Sequence, residues 1–202
     1  MRRGVVAALV MGAGLVLGAC GDSSTSGASG GTQVTKPAAG SEASTTAGAP
    51  SRLAPPVSDP RNARGVQDPC RDLLTAEQLA ALGFDQPGEP EKVVTEDACV
   101  WQDRKRTWEL AAYVDLENNI FEGAYRDRET YQVFEETQVD DLPAVQAQET
   151  PNSSSCLITV GLGDVQALRV HYTVLRPDEG GDPCDGGRKA AEAIVGNLPA
   201  LK

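Results

Sequence analysis

The chain has 202 residues, with 18 Lys and Arg against 29 Asp and Glu, a formal net charge of −11, one histidine and five cysteines. That balance argues against nucleic acid and against adhesion to anionic lipid head groups, both of which need a basic face. With a lone histidine and no C-x-x-C pair, neither a zinc site nor a redox dithiol is expected.

The chain opens with Arg2 and Arg3, an apolar run from Val5 to Leu17, then Gly18-Ala19 before Cys20. A positive region, an apolar region and small residues in that order form a secretory signal. About 13 apolar residues fall short of the roughly 20 that span a bilayer. A cysteine straight after Leu17-Gly18-Ala19 has the form of a lipobox. Its thiol takes a diacylglycerol, the leader 1–19 is cut away, and the new amine is often acylated as well. Two or three acyl chains hold a protein on a membrane where one binds reversibly. Cys20 is therefore the candidate lipidation site, and the expected location is the outer face of the cytoplasmic membrane. A secreted protein cut at Ala19 without lipid is the rival reading.

Residues 20–60 hold the lipidated cysteine and a Ser/Thr/Gly/Ala/Pro-rich stretch with too few large apolar residues to offset its ordering entropy. A disordered tether is expected there, with Ser41, Ser44, Thr45 and Thr46 as conceivable sugar acceptors. Residues 61–202 are expected to form one domain.

Four cysteines remain, Cys70, Cys99, Cys156 and Cys184, which in an exported chain read as two disulfides with three possible connectivities. The favoured pairing is Cys70–Cys99 with Cys156–Cys184. Each would close a loop of about 30 residues and contribute about 3–4 kcal/mol.

Asp68-Pro69-Cys70 suits a helix start, with an Asp N-cap and Pro at the first helical position. Thr75 and Gln78 have capping-box spacing, Leu79 and Leu82 follow on one stripe, and Gly83 closes the helix. Pro87, Gly88 and Pro90 make 84–92 a loop. Strands are expected at 98–102, with Cys99 and Trp101 on one side, and at 108–116, where Trp108, Leu110, Ala112, Val114 and Leu116 alternate with polar or small residues. The basic run Asp103-Arg104-Lys105-Arg106 between them reads as a hairpin turn.

A surface helix is expected from Phe121 to Phe134 and a weak strand at 141–148. Residues 156–162 put Cys156, Ile158, Val160 and Leu162 on one face. After a two-residue turn at Gly163-Asp164, residues 165–175 turn Leu168, Val170, Tyr172 and Val174 inward, with Arg169, His171 and Thr173 outward. Asp182-Pro183-Cys184 repeats the first helix start ahead of an apolar stripe of Ala190, Ala191, Ile194, Val195 and Leu198, which Pro199 ends. The fold class is α+β, helices packed against an antiparallel sheet.

The chemistry-bearing residues are sparse. His171 falls on the polar face of its strand without a partner in view. Glu135, Glu136, Asp140 and Asp141 lack the spacing of a calcium loop and read as acidic surface. Ser153, Ser154 and Ser155 lack a nucleophile elbow. Trp101, Trp108, Tyr113 and Tyr172 are expected mainly in the core. No catalytic residue, cofactor or metal ligand is assigned.

With Cys20, Asp68-Pro69-Cys70, Leu73-Leu74-Thr75, Leu82-Gly83, Cys99-Val100-Trp101 and Asp182-Pro183-Cys184 together, the chain resembles the actinobacterial lipoproteins of the DUF3558 family over about residues 50–202. The resemblance implies a Mog1/PsbP-like α+β fold and brings no accepted activity or catalytic residues. Leu142-Pro143-Ala144 is similar to the Gly-Leu-Pro-Ala segment of that fold group, with Asp141 where glycine is expected. The function expected is a non-enzymatic protein-binding or accessory module with an envelope protein partner. The alternatives are a carrier or sensor of a small amphiphile, using a cavity between sheet and helices, and lastly an enzyme.

Overall fold

The computed structural model describes residues 52–93 and 95–201. The leader 1–19, Cys20 and the expected tether up to residue 51 lie outside the described residues.

Both short N-terminal helices start where their caps dictate. Helix α1 (Pro69–Asp72) has Asp68 accepting from the Cys70 N–H. Helix α2 (Ala76–Ala81) has the reciprocal Thr75–Gln78 capping box, and Gly83 leaves it at φ 90°, a left-handed conformation that suits glycine. Seven strands follow: β1 (Glu89–Val93), β2 (Glu96–Gln102), β3 (Trp108–Asp115), β4 (Val133–Val139), β5 (Leu142–Gln148), β6 (Ser155–Gly161) and β7 (Ala167–Val174). They form one antiparallel sheet in the order β1-β2-β3-β7-β6-β5-β4, two meanders joined where β7 lies beside β3. Helix α3 (Ile120–Arg126) connects the meanders, and helix α4 (Pro183–Asn197) closes the chain with Asp182 capping the Cys184 N–H.

The alternation read from the sequence sets the two faces. Cys99, Trp101, Leu110, Ala112, Ile158, Val160, Leu168 and Val170 all point to the helix side and are almost fully buried. Ala190, Ala191, Ile194 and Val195 of α4 meet them with no exposed surface. Each such large side chain contributes about 1.5–3 kcal/mol by leaving water. The disulfides are Cys70–Cys99 and Cys156–Cys184, so α1 and α4 are each stapled near the N-terminus to a strand, as the loop lengths favoured. Gly186 and Gly187 let α4 lie close against Tyr172. A methyl group on Gly186 would stand 2.6 Å from the phenol ring.

Four expectations are corrected. Residues 89–93 are not loop but the edge strand β1, paired with β2; its proline is tolerated because an edge strand needs only one row of hydrogen bonds. The helix expected over 121–134 ends at Arg126, followed by a 3-10 turn at Arg128–Thr130 and then by β4, which contains Phe134. Phe134 nonetheless meets Tyr125 edge-on, 5.5 Å between ring centres, from a strand rather than from the same helix. The β6–β7 connection is longer than a two-residue turn, because Leu162 and Gly163 both donate to the Gln166 carbonyl and β7 begins at Ala167. Finally, residues 52–60, read by composition as the end of a disordered tether, are seated on the domain. The Leu53 and Ala54 N–H groups donate to the Glu122 carboxylate, at 2.9 and 3.0 Å, and Ala54 packs with Phe121.

Candidate binding face

Helices α1, α2 and α4 cover one side of the sheet. On the other side, among the described residues, α3 is laid down over the β5–β6 end with segment 52–60 against it. There Phe121, Ala124 and Tyr125 pack on Val145 and Ala167, and Gly161 admits the Phe121 ring, which a methyl group would approach to 2.7 Å. Among the described residues no further element covers that side, and the register specifies what it presents. One row across the strands reads Val100, Ala111, His171, Leu157. The next reads Tyr113, Arg169, Thr159, Val145. Val100, Ala111, Tyr113, Leu157 and Arg169 are half-buried and His171 is exposed.

Arg169 sits at the centre. It faces Tyr113 on β3 and Thr159 on β6, and among the described residues it makes no ion pair. Its Nε is buried without a hydrogen-bond partner, as are the Thr159 hydroxyl and the Tyr125 hydroxyl. Buried polar atoms are normally satisfied, so three orphans around one end of a face mark it out. Burial, reinforced by the charge of Glu136, pushes the Tyr125 phenol up to about 12, so it is a neutral donor. His171 is exposed, yet neighbouring side chains desolvate it enough to lower its pKa against the opposing pull of Glu109 and Glu149. It is neutral at pH 7.

The other candidates disperse. Glu135 and Glu136 are consecutive on β4 and so point to opposite faces, and Glu135 accepts from Gln146. Asp140 and Asp141 form the two-residue turn into β5, Asp140 taking φ 50°. Among the described residues, no three His, Cys, Asp or Glu side chains come together as a metal group. Ser153 and Ser155 bond to each other, 3.3 Å between hydroxyl oxygens, and Gln148 donates to the carbonyls of both, so this segment serves the β5–β6 turn. Trp101 and Tyr172 are in the core, whereas Trp108 and Tyr113 are half-buried. Thr159 and Tyr125 carried no sequence signal. Alternation placed Thr159 on the open side, and its burial depends on cover from α3 that spacing does not announce.

An unpaired guanidinium on a half-buried sheet face is fitted to recognise a carboxylate by two parallel hydrogen bonds. The chain matches, over residues 15–197, a family described as a protein of unknown function, DUF3558. It belongs to the DUF3558 family. Neither a curated protein nor a solved structure matches the chain. The DUF3558 match starts ahead of Cys20 and ends at the last residue of α4, taking in both disulfides and the whole sheet.

Proposed function

We propose that this DUF3558 chain is a non-enzymatic protein-binding or accessory module, held at the outer face of the cytoplasmic membrane by a diacylglycerol on Cys20. Its Mog1/PsbP-like sheet would present the open face, centred on Arg169, to an acidic segment of an envelope protein. The single observation behind the reading is that face: helices cover one side of the sheet, and the other carries a half-buried arginine that makes no ion pair among the described residues and whose Nε is buried without a hydrogen-bond partner. The anchor rests on the order of charge, apolar run, small residues and cysteine at the N-terminus, and on a family match that includes it.

The carrier reading needs an apolar cavity between helices and sheet. The side chains that would line it, Ile158, Val170, Ile194 and Val195, are in contact and fully buried, which favours the protein-binding reading.

A photoreactive amino acid placed at Tyr113 in cells, with one at exposed Glu192 on α4 as control, tests the proposal. A defined crosslinked protein from position 113 alone, lost on Arg169→Ala, is the expected result. Equal crosslinking from both positions would refute the face. Separately, Cys20→Ala should move the protein from the membrane fraction to the soluble one. Retention after a salt wash would refute the lipid anchor.

A further inference from the structure

Strand β4 ends the sheet, and its register shows which of its backbone groups are unspent. Pairing with β5 sets Gln138 opposite Pro143, which has no N–H. Those two residues cannot exchange a pair of hydrogen bonds, so they form the non-bonded kind of pair that alternates along an antiparallel ladder. Two and four residues back, Glu136 opposite Val145 and Phe134 opposite Ala147 are of the same kind. Phe134, Glu136 and Gln138 therefore turn their N–H and C=O groups away from β5, toward the outside of the sheet. Among the described residues, no backbone group of another segment bonds to any of the three.

The two edges of the sheet are guarded differently. At the far edge, β1 holds Pro90 and Lys92 within five residues. Strand β4 runs seven residues, Val-Phe-Glu-Glu-Thr-Gln-Val, with no proline and no cation. Its Val133, Thr137 and Val139 favour extended backbone. Its charge is all of one sign. Glu135 and Glu136 are exposed and, being consecutive, project to opposite faces; exposed Asp140 and Asp141 follow in the turn. Arg126 and Arg128, which precede the strand, are interleaved with Asp127 and Glu129. Of the cations on α4, Arg188 is paired with Asp185, and Lys189 lies across the sheet beside Trp108 and Tyr172.

This charge selects the occupant. A second copy fits poorly, since β4 paired antiparallel with itself about Glu136 or about Glu135 sets glutamate opposite glutamate. The complementary strand carries two consecutive cations, one for each face, among β-branched residues. Its backbone would exchange hydrogen bonds with Phe134, Glu136 and Gln138, and its cations would meet Glu136 on one side of the sheet and Glu135 on the other. We propose that the β4 edge binds an extended, dibasic protein segment as an added antiparallel strand. This surface is separate from the Arg169 face, because β5 and β6 stand between β4 and the strand that carries Arg169.

The full disulfide-bonded chain would be titrated at low salt with a short peptide of threonine and valine around a central Lys-Lys. A Glu-Glu counterpart, and a Lys-Lys peptide with N-methyl groups on both of its edges, serve as controls. The expected result is saturable binding of the Lys-Lys peptide by calorimetry, with amide hydrogen exchange slowed at Phe134, Glu136 and Gln138. Replacing both glutamates, Glu135→Gln with Glu136→Gln, keeps their shape and should weaken binding severalfold. Arg169→Ala should leave it unchanged. No binding at millimolar peptide overturns the proposal, and so does binding that leaves those three amides unprotected. Equal binding of the Glu-Glu or N-methylated peptide overturns it too, as does loss on Arg169→Ala, which would move the peptide to the open face. Protection of the same amides in the chain alone, growing with dimer formation, would give the edge to a second copy and overturn it as well.

Discussion

Asp103 shows how much one carboxylate can organise. It is 7% exposed at the mouth of the β2–β3 hairpin and accepts backbone N–H groups from Lys105, Thr107 and Trp108 at 3.1, 2.6 and 2.8 Å. Burial works against its charge. The N–H groups of Trp108, Thr107 and Lys105 outweigh that burial and hold the carboxyl below its ordinary range. A folded pKa below the unfolded one stabilises fully above the ordinary carboxylate value, and the gain disappears as acid carries the pH down through the folded pKa. Asp103→Ala should therefore cost about 1–3 kcal/mol at pH 7 by leaving donors unsatisfied. In urea unfolding series at pH 7 and pH 3, the gap between variant and parent should narrow at the lower pH. A gap that stays constant would mean that the charge of Asp103 contributes nothing. Such anchoring was not legible beforehand. The sequence showed a basic hairpin turn, and the residue that orders it was one acid among 29 acidic residues.

Among the elements, those that bury one face were readable and those that bury little were not. Strands β3, β6 and β7 alternate cleanly because one side packs under helices, and α4 shows a stripe because it packs on them. The two edge strands escaped notice for opposite reasons. In β1, Pro90 and the charges of Glu89, Glu91 and Lys92 look like loop because they protect an edge from further pairing. In β4 a mixture of Val, Glu, Thr and Gln gives no period, and the useful clue was the Asp140-Asp141 turn that follows. The helix staples were among the more legible features: of three possible connectivities, the one favoured by its two loops of about 30 residues is the one found. Replacing Cys156 and Cys184 together by serine should lower stability by about 3 kcal/mol. The Cys70 and Cys99 pair should cost a similar amount, and losses at such separated sites should add in denaturant melts. A loss confined to one pair would show that the helix attached by the other packs well enough alone.

At the level of the whole molecule, the sheet divides the described residues into a side covered by helices and a presented side, and the make-up of the presented face could not be found from residue spacing. Arg169 and Thr159 are ten residues apart and face each other only through the β6–β7 register. Trp108 and Tyr172 come from segments far apart in sequence and are neighbours through the β3–β7 register, Leu110 opposite Tyr172 and Trp108 opposite Val174.

The segment 52–60 bears on a different matter, the transmission of tension. Its grip consists of two N–H groups on Glu122, an exposed Arg52–Asp164 pair at 3.1 Å and Ala54 against Phe121. Farther along, Arg61 bridges to Ala200 and the Leu201 N–H donates to Pro60, so both ends of the fold are tied together. A pull from the N-terminal side would peel the strap contact by contact, like a zip, while the sheet stayed whole. Each step would bare more of the Phe121 ring. Single-molecule stretching from the N-terminus should therefore record a small, low-force lengthening before the main rupture, and Glu122→Ala should abolish it. A protein moored through Cys20, as proposed, would then carry a mechanical fuse between mooring and fold.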